Sequence, residues 1–254
     1  MRKMKALILA AGYATRLYPL TRHFPKPLLK VGKKPLINYI LDKLDGLQGL
    51  DEIIVVTNSR FIDKFRQWKK RQNTRCRITL VDDLTSTNET RLGAIGDMAF
   101  VIREKRIRSD LLVVGGDNLF DGNLEEFLDF AAERKSSPVI GAYDISSRKN
   151  ASKYGVLEIN KRGRIVDFQE KPARPRSSLV GMCLYYFPKE KLGLFKEYFS
   201  RKRTRSDATG FYIDWLRKRV AVYACVFRGH WYDIGDFGFY NKANQWIAKA
   251  KERK

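Results

Sequence analysis

Short apolar strands alternate with amphipathic helical stretches through the first half of this chain. That alternation predicts an α/β fold, a mainly parallel sheet held between two helical layers. The apolar runs at 5–9, 52–57, 78–82 and 111–115 are near-continuous, as strands buried on both faces must be, and several end at Gly, Asp or Asn. Between them Leu36, Ile37, Ile40, Leu41 and Leu44 recur at helical spacing, as do Phe61, Ile62, Phe65 and Trp68, then Leu124, Phe127, Leu128 and Ala131. The pattern changes after about residue 144. Residues 155–159 and 164–170 alternate apolar and polar positions around Asn160-Lys161-Arg162-Gly163, the mark of a hairpin. Residues 179–187 and 221–227 read as further strands, and 189–201 and 207–219 as helical segments. A last helix carries Tyr240, Ala243, Trp246, Ile247 and Ala250 on one face. The expectation is thus a three-layer α/β/α arrangement around a mixed sheet. No repeat or linker divides it, so residues 1–254 are expected to form one domain, with 146–236 extending the sheet begun by 1–145 and 237–254 adding a closing helix. Ligands of such sheets bind beyond the carboxyl ends of the strands.

With 254 residues, 44% hydrophobic and 31% charged, the chain has material for a sizeable core. No apolar run approaches the roughly 18 residues of a membrane span. The first one is broken at Gly12, so it reads as a buried strand, with neither signal peptide nor membrane partner expected. Cys76, Cys183 and Cys225 are odd in number and lack metal-ligand spacing, which predicts buried free thiols in a reducing cytoplasm. The balance of 50 Lys+Arg against 28 Asp+Glu gives a net charge of +22. A field of that sign draws phosphate-bearing partners. The basic residues are spread along the chain, clustering at Lys69-Lys70-Arg71 and Arg201-Lys202-Arg203, with no basic tail and no nucleic-acid module. A solvated basic surface or small polyphosphate substrates account for the excess, and nucleic acid is not expected as a partner.

The first strand runs into Leu9-Ala10-Ala11-Gly12-Tyr13-Ala14-Thr15-Arg16-Leu17-Tyr18-Pro19-Leu20-Thr21. Small residues after a strand let the backbone approach a ligand, and successive N–H groups can cradle phosphate oxygens. Gly32-Lys33-Lys34 lacks the upstream glycine and the Ser/Thr of a Walker loop. Arg16 follows the small residues closely, and Lys26 stands between Pro25 and Pro27, whose rings stiffen the backbone around it. Together, residues 9–21 and Pro25-Lys26-Pro27 closely resemble the opening signature of the sugar-1-phosphate nucleotidyltransferases. The signature's second glycine is Ala14 here. Alanine disfavours positive φ, so the loop is expected to take a conformation open to L-residues at that point.

Leu111-Leu112-Val113-Val114-Gly115-Gly116-Asp117-Asn118 is a buried strand ending at an aspartate, and a second aspartate closes Gly229-His230-Trp231-Tyr232-Asp233. Asp117 either caps the next element or ligates Mg²⁺, which prefers carboxylate, phosphate and water oxygens. Spacing alone does not bring the two together. The resemblance does: both segments look like family blocks whose aspartates jointly hold the metal. It also implies that Gly155, Glu170, Lys171 and Gly181 meet the sugar phosphate, with Glu170 on a sugar hydroxyl and Lys171 on the phosphate. Leu9, Ala10, Ala11, Gly12, Thr90 and Gly93 would meet the nucleotide. Residues 1–145 are then the nucleotide half and 146–236 the sugar-phosphate half of a Rossmann-like nucleotidyltransferase domain.

The poorest match is Asn88-Glu89-Thr90-Arg91-Leu92-Gly93-Ala94-Ile95, where a glycine-threonine pair is usual, and 81–87 holds no glutamine to read a base. By resemblance the activity is Mg²⁺-dependent transfer from a nucleoside triphosphate, dTTP or UTP favoured, to a sugar 1-phosphate. Arg16 and Lys26 are its catalytic cations. Two alternatives stay open: a CTP-dependent enzyme for a sugar, choline or inositol phosphate, and an inactive regulatory relative. A homo-oligomer is also left open.

Overall fold

The computed structural model describes residues 3–201 and 208–252. Lys202, Arg203 and Asp207, and the side chain of Ala250, lie outside what is described. In chain order the elements are β1 (Met4–Leu9), β2 (Lys30–Val31), β3 (Lys34–Pro35), α1 (Leu36–Leu44), β4 (Leu50–Thr57), α2 (Ile62–Lys69), β5 (Arg77–Asp82) and α3 (Gly93–Glu104). Then come β6 (Asp110–Gly115), β7 (Asn118–Phe120), α4 (Leu124–Glu133), β8 (Val139–Asp144), α5 (Arg148–Ala151), β9 (Gly155–Ile159) and β10 (Ile165–Glu170). The chain closes with β11 (Leu179–Phe187), α6 (Gly193–Phe199), α7 (Thr209–Arg217), β12 (Tyr223–Phe227), β13 (Trp231–Asp233) and α8 (Phe237–Glu252).

Nine strands form one sheet in the order β10-β9-β11-β6-β1-β4-β5, with β8 on the other edge of β11 and β12 beside β8. The first half supplies the parallel part: β1 lies between β4 and β6, and β5 pairs with β4. The second half is largely antiparallel, β11 joining β6, β8 and β9, so the sheet is mixed and runs through both halves. Alternate residues of the central strands face opposite layers. Ala6, Ile8, Ile53, Val55, Leu112 and Val114 meet α1, α2 and α4. Leu7, Ile54, Val56, Leu111 and Val113 meet α3, α6 and α7. A strand covered on both faces has no polar side, which is why these runs read as continuously apolar.

The helices follow their apolar stripes. Phe65 and Phe127 are fully buried, each burial contributing about 2 kcal/mol. The side chain of Asn123 caps α4 by accepting the Glu125 N–H at 2.8 Å, with Glu125 and Glu126 in the favourable first turn. The segment expected to be helical over 189–201 is a single 3-10 turn at Lys189–Lys191 followed by α6, which Gly193 opens. α8 lays Ala243 and Ile247 over Leu17, Val31, Leu36, Leu119 and Ile234. The three cysteines are free, as expected, but half-buried rather than fully buried.

Candidate active site

The loop after β1 is held from behind. Gly116 N–H donates to the Leu9 carbonyl at 2.8 Å, and Ala10 N–H donates to the Val56 carbonyl at 2.9 Å. The buried Asn58 side chain donates to the Ala11 carbonyl at 2.7 Å. These contacts leave Gly12 as the open point: a Cβ built there meets nothing within 4 Å. Leu9, Ala10 and Ala11 therefore frame the loop, and Gly12 offers the approach. Ala14 departs from expectation. It adopts the left-handed conformation, φ 47° and ψ 45°, that glycine takes most easily. Its carbonyl accepts from Leu17 N–H at 3.0 Å and from the Thr21 hydroxyl at 2.8 Å. Those two bonds offset the roughly 1–2 kcal/mol that L-residues lose there.

Two short strands that no hydrophobic pattern announces join the distant aspartates. β13 pairs antiparallel with β7, setting Asp233 opposite Asn118, and Ile234 N–H donates to the Asp117 carbonyl at 3.1 Å. Asn118, buried, donates to Asp117 Oδ1 at 3.1 Å and accepts from the Trp231 indole at 2.6 Å, locking the two segments. Lys26 Nζ donates to Asp117 Oδ2 at 2.5 Å. Burial, then the charge of Asp117, raises the Asp233 carboxyl to about 6 against the opposing pull of Lys26, Arg16 and Lys171. Five of the six predicted charged groups thus act on one another around Asp233, and the sixth, Glu170, stands beside Lys171.

Arg16, Lys171 and Asp233 line a cavity of about 490 Å³ together with Gly155, Glu170 and Gly181, while Lys26 and Asp117 reach it only through Asp233. That is a volume suited to a small ligand. Ala94 also lines it, so the start of α3, where Gly93 has φ 76°, abuts the cavity. Thr90 does not line it: it sits in an exposed turn, its hydroxyl 3.2 Å from that of Thr87. The larger cavity of about 1130 Å³ lies elsewhere, between α3 and α6, and none of the sequence-predicted site residues lines it.

Several residues in or directly behind the wall were invisible in the sequence. Gly210 N–H donates to Glu170, whose carboxyl is raised by burial and held back by Lys171 and this bond. A Cβ on Gly210 would stand 1.9 Å from Glu170 Oε2, so only glycine lets the first turn of α7 reach the carboxylate. Thr209 accepts the Tyr185 hydroxyl proton at 2.6 Å. Cys183 occupies a bulge in β11 with φ 52°, where the register shifts between Gly181 and Tyr185. Burial and the charges of Asp117 and Asp233 push its thiol far up, so it stays neutral. Lys171 also has positive φ, 47°, its Nζ standing 4.0 Å from Glu170 Oε1. Such bulges and left-handed residues cluster where a strand end must aim a side chain.

A mixed α/β sheet that gathers two carboxylates and three cations beyond the ends of its parallel strands defines a class of protein that handles phosphate groups. The particular family is evident from comparison: the chain belongs to the nucleotidyl transferases, whose profile matches residues 5–250. It is 33% identical to a glucose-1-phosphate thymidylyltransferase of Neisseria meningitidis, over 76% of this chain and 65% of that one. It is 27% identical to the bifunctional protein GlmU of Methanocaldococcus jannaschii, over 91% of this chain and 51% of that one. A similar 27% links it to a glucose-1-phosphate adenylyltransferase of Clostridioides difficile, over 99% of this chain and 68% of that one. The chain thus spans about half the length of several curated relatives it matches. The fold matches a UDP-glucose pyrophosphorylase structure with a TM-score of 0.82 at 21% identity, covering 98% of this chain and 100% of that one.

Proposed function

We propose that this chain transfers a nucleotidyl group from a nucleoside triphosphate to a sugar 1-phosphate, releasing pyrophosphate. The observation that carries this reading is the convergence of Arg16, Lys26, Asp117 and Lys171 on Asp233, in the wall of a cavity that Arg16 and Lys171 also line. The relatives support the acceptor class, since they include a glucose-1-phosphate thymidylyltransferase and a glucose-1-phosphate adenylyltransferase. Three free thiols, none in a disulfide, agree with a cytoplasmic setting.

Asp117 and Asp233 fit Mg²⁺. They supply two hard oxygen donors so close that one raises the protonation of the other, a repulsion that a divalent cation relieves. When bound there, Mg²⁺ supplies charge neutralisation at the α-phosphate.

The acceptor's phosphate oxygen forms the new bond to the α-phosphorus while the bond from that phosphorus to the bridging oxygen breaks. Pyrophosphate leaves with the electron pair. A phosphate monoester is already anionic near neutral pH, so this step needs no general base. The placement of histidine agrees: His230 lies outside the cavity, 2.9 Å from Asp121 and against Trp246. Arg16 and Lys26 hold the triphosphate and stabilise its developing charge. Lys171 holds the acceptor phosphate, and Glu170, fixed by Gly210, accepts from a sugar hydroxyl.

A pyrophosphate-release screen of dTTP, UTP, CTP, ATP and GTP against several sugar 1-phosphates and choline phosphate, with and without chelator, tests the whole reading. Turnover with a sugar 1-phosphate that stops on chelation is expected. Turnover only with choline phosphate would refute the acceptor class. Silence with every pair would leave a binding protein in place of an enzyme.

A further inference from the structure

The excess of positive charge is only partly used at the active site. One further group of cations gathers at the opposite pole of the sheet, where β1, β4 and β6 begin, Met4 standing in register with both Leu50 and Asp110. A cleft of about 560 Å³ opens there, lined by six cationic residues against the two carboxylates Asp51 and Asp110. Asp110 is already engaged, accepting from the Tyr186 hydroxyl at 2.6 Å and the Lys189 N–H at 2.9 Å. Lys5 is paired with Glu52, which Arg77 and Thr79 share. Among the described residues, the side chains of Lys3, Lys105, Arg106, Arg108 and Lys189 have no carboxylate partner.

The loop that carries three of these is anchored. Ile107 is 6% exposed and packs in the core, its N–H donating to the Ile102 carbonyl at 3.0 Å. Arg106, left-handed at φ 46°, and Arg108 flank that anchor and line the cleft. Ser109 adds a hydroxyl shielded from solvent that has no hydrogen-bond partner. Unpaired like charges and an unused donor held together in a concavity destabilise the empty fold, and an anion offsets both costs.

We propose that this cleft is a second ligand site, separate from the active site, which binds a small, multiply charged phosphate of the pyrophosphate class. Arginine forks match phosphate oxygens in pairs, and the serine hydroxyl supplies one more donor. A concave cleft of this size suits a compact anion better than a strand of nucleic acid, which needs an extended basic track.

The test is calorimetric titration of pyrophosphate, without divalent metal, into the Arg16→Ala/Lys26→Ala protein, in which the active site is disabled. One saturable site is expected, weakened at least about tenfold when Arg106→Glu and Arg108→Glu are added, and weakened again by raised salt. If the Arg16→Ala/Lys26→Ala protein does not fold, the wild-type chain gives the same reading: two sites falling to one in Arg106→Glu/Arg108→Glu. Absence of saturable binding overturns the proposal, as does an affinity that the two glutamates leave unchanged. Tighter capture of a single-stranded oligonucleotide through the same arginines also overturns it, in favour of nucleic acid.

Discussion

Lys26 and Asp117 meet at 2.5 Å, and the proposed reaction uses both of them for ligands. A lysine so held is oriented before substrate arrives, which lowers the entropy lost on binding. Asp117→Asn keeps the volume and removes the charge. Turnover is expected to fall by about a thousandfold or more, as loss of a metal ligand and of its electrostatics implies. The melting temperature should change little, since the Asp117 side chain is partly exposed and outside the core. Near-normal kcat in a folded variant would remove Asp117 from the chemistry. At the acceptor end, Lys171→Ala is expected to raise KM for the sugar phosphate by about tenfold while KM for the triphosphate stays put. Equal losses for both substrates would assign Lys171 to the wrong ligand. Gly210→Ala should resemble it kinetically, because the added methyl occupies the space of the Glu170 carboxylate.

Between elements, an acidic contact ties the end of β5 to α3. Asp83 and Asp97 are both buried, and Asp83 Oδ1 accepts from the N–H and hydroxyl of Thr85, each at 2.8 Å. Asp83 Oδ2 and Asp97 Oδ1 find no ordinary donor, and a proton on Asp97 shared with Asp83 satisfies both. Burial, followed by the charge of Asp83, lifts the Asp97 carboxyl to about 8. Its unfolded value lies near 4, so the folded chain holds an extra proton between roughly pH 4 and 8. The stability from this proton is full at the acid end and is lost as pH rises towards 8. Asp97→Asn donates to Asp83 at every pH. Melting curves should therefore show wild type and variant converging near pH 5 and the variant more stable near pH 8.5. Parallel curves across that range would mean that the two carboxyls do not share a proton. Neither Asp83 nor Asp97 was legible as a pair, because an i, i+14 spacing across a loop carries no periodic signal.

At the scale of the molecule, the proposed function makes the loop from β5 to α3 the place where a base would be chosen. Thr85 is occupied by Asp83 and lies 3.3 Å from the Tyr13 hydroxyl, while Thr87 and Thr90 bond to each other. No glutamine stands in 81–91, and hydroxyls discriminate less sharply than a fixed amide. A permissive pyrimidine site is expected: dTTP and UTP favoured, CTP detectably used, ATP and GTP poor, as measured by kcat/KM with one good acceptor. Discrimination among pyrimidines by about 10⁴ or more would require a fixed reader in this loop, and a preference for a purine would refute the pocket size.

The architecture was written in the sequence where the physics is local. Strands covered on both faces must be continuously apolar, so β1, β4, β5 and β6 stood out, and apolar stripes marked α1, α2 and α4. The small-residue loop after β1, Lys26 between its prolines, and Asp117 at a strand end were readable in the same way, as short contiguous signals. Three things were decided only by the tertiary structure. Asp233 reaches Asp117 through the three-residue ladder of β7 and β13, too short to show any periodicity. Glu170 is held by Gly210, a residue whose role is the absence of a side chain beside another element. Ala14 keeps the left-handed turn because the hydroxyl of Thr21 and the N–H of Leu17 close on its carbonyl. Sequence encodes which surfaces must be buried, since that depends on each residue's own hydrophobicity. Contacts between single polar groups depend on where separate elements come to rest, and only the folded chain sets those distances.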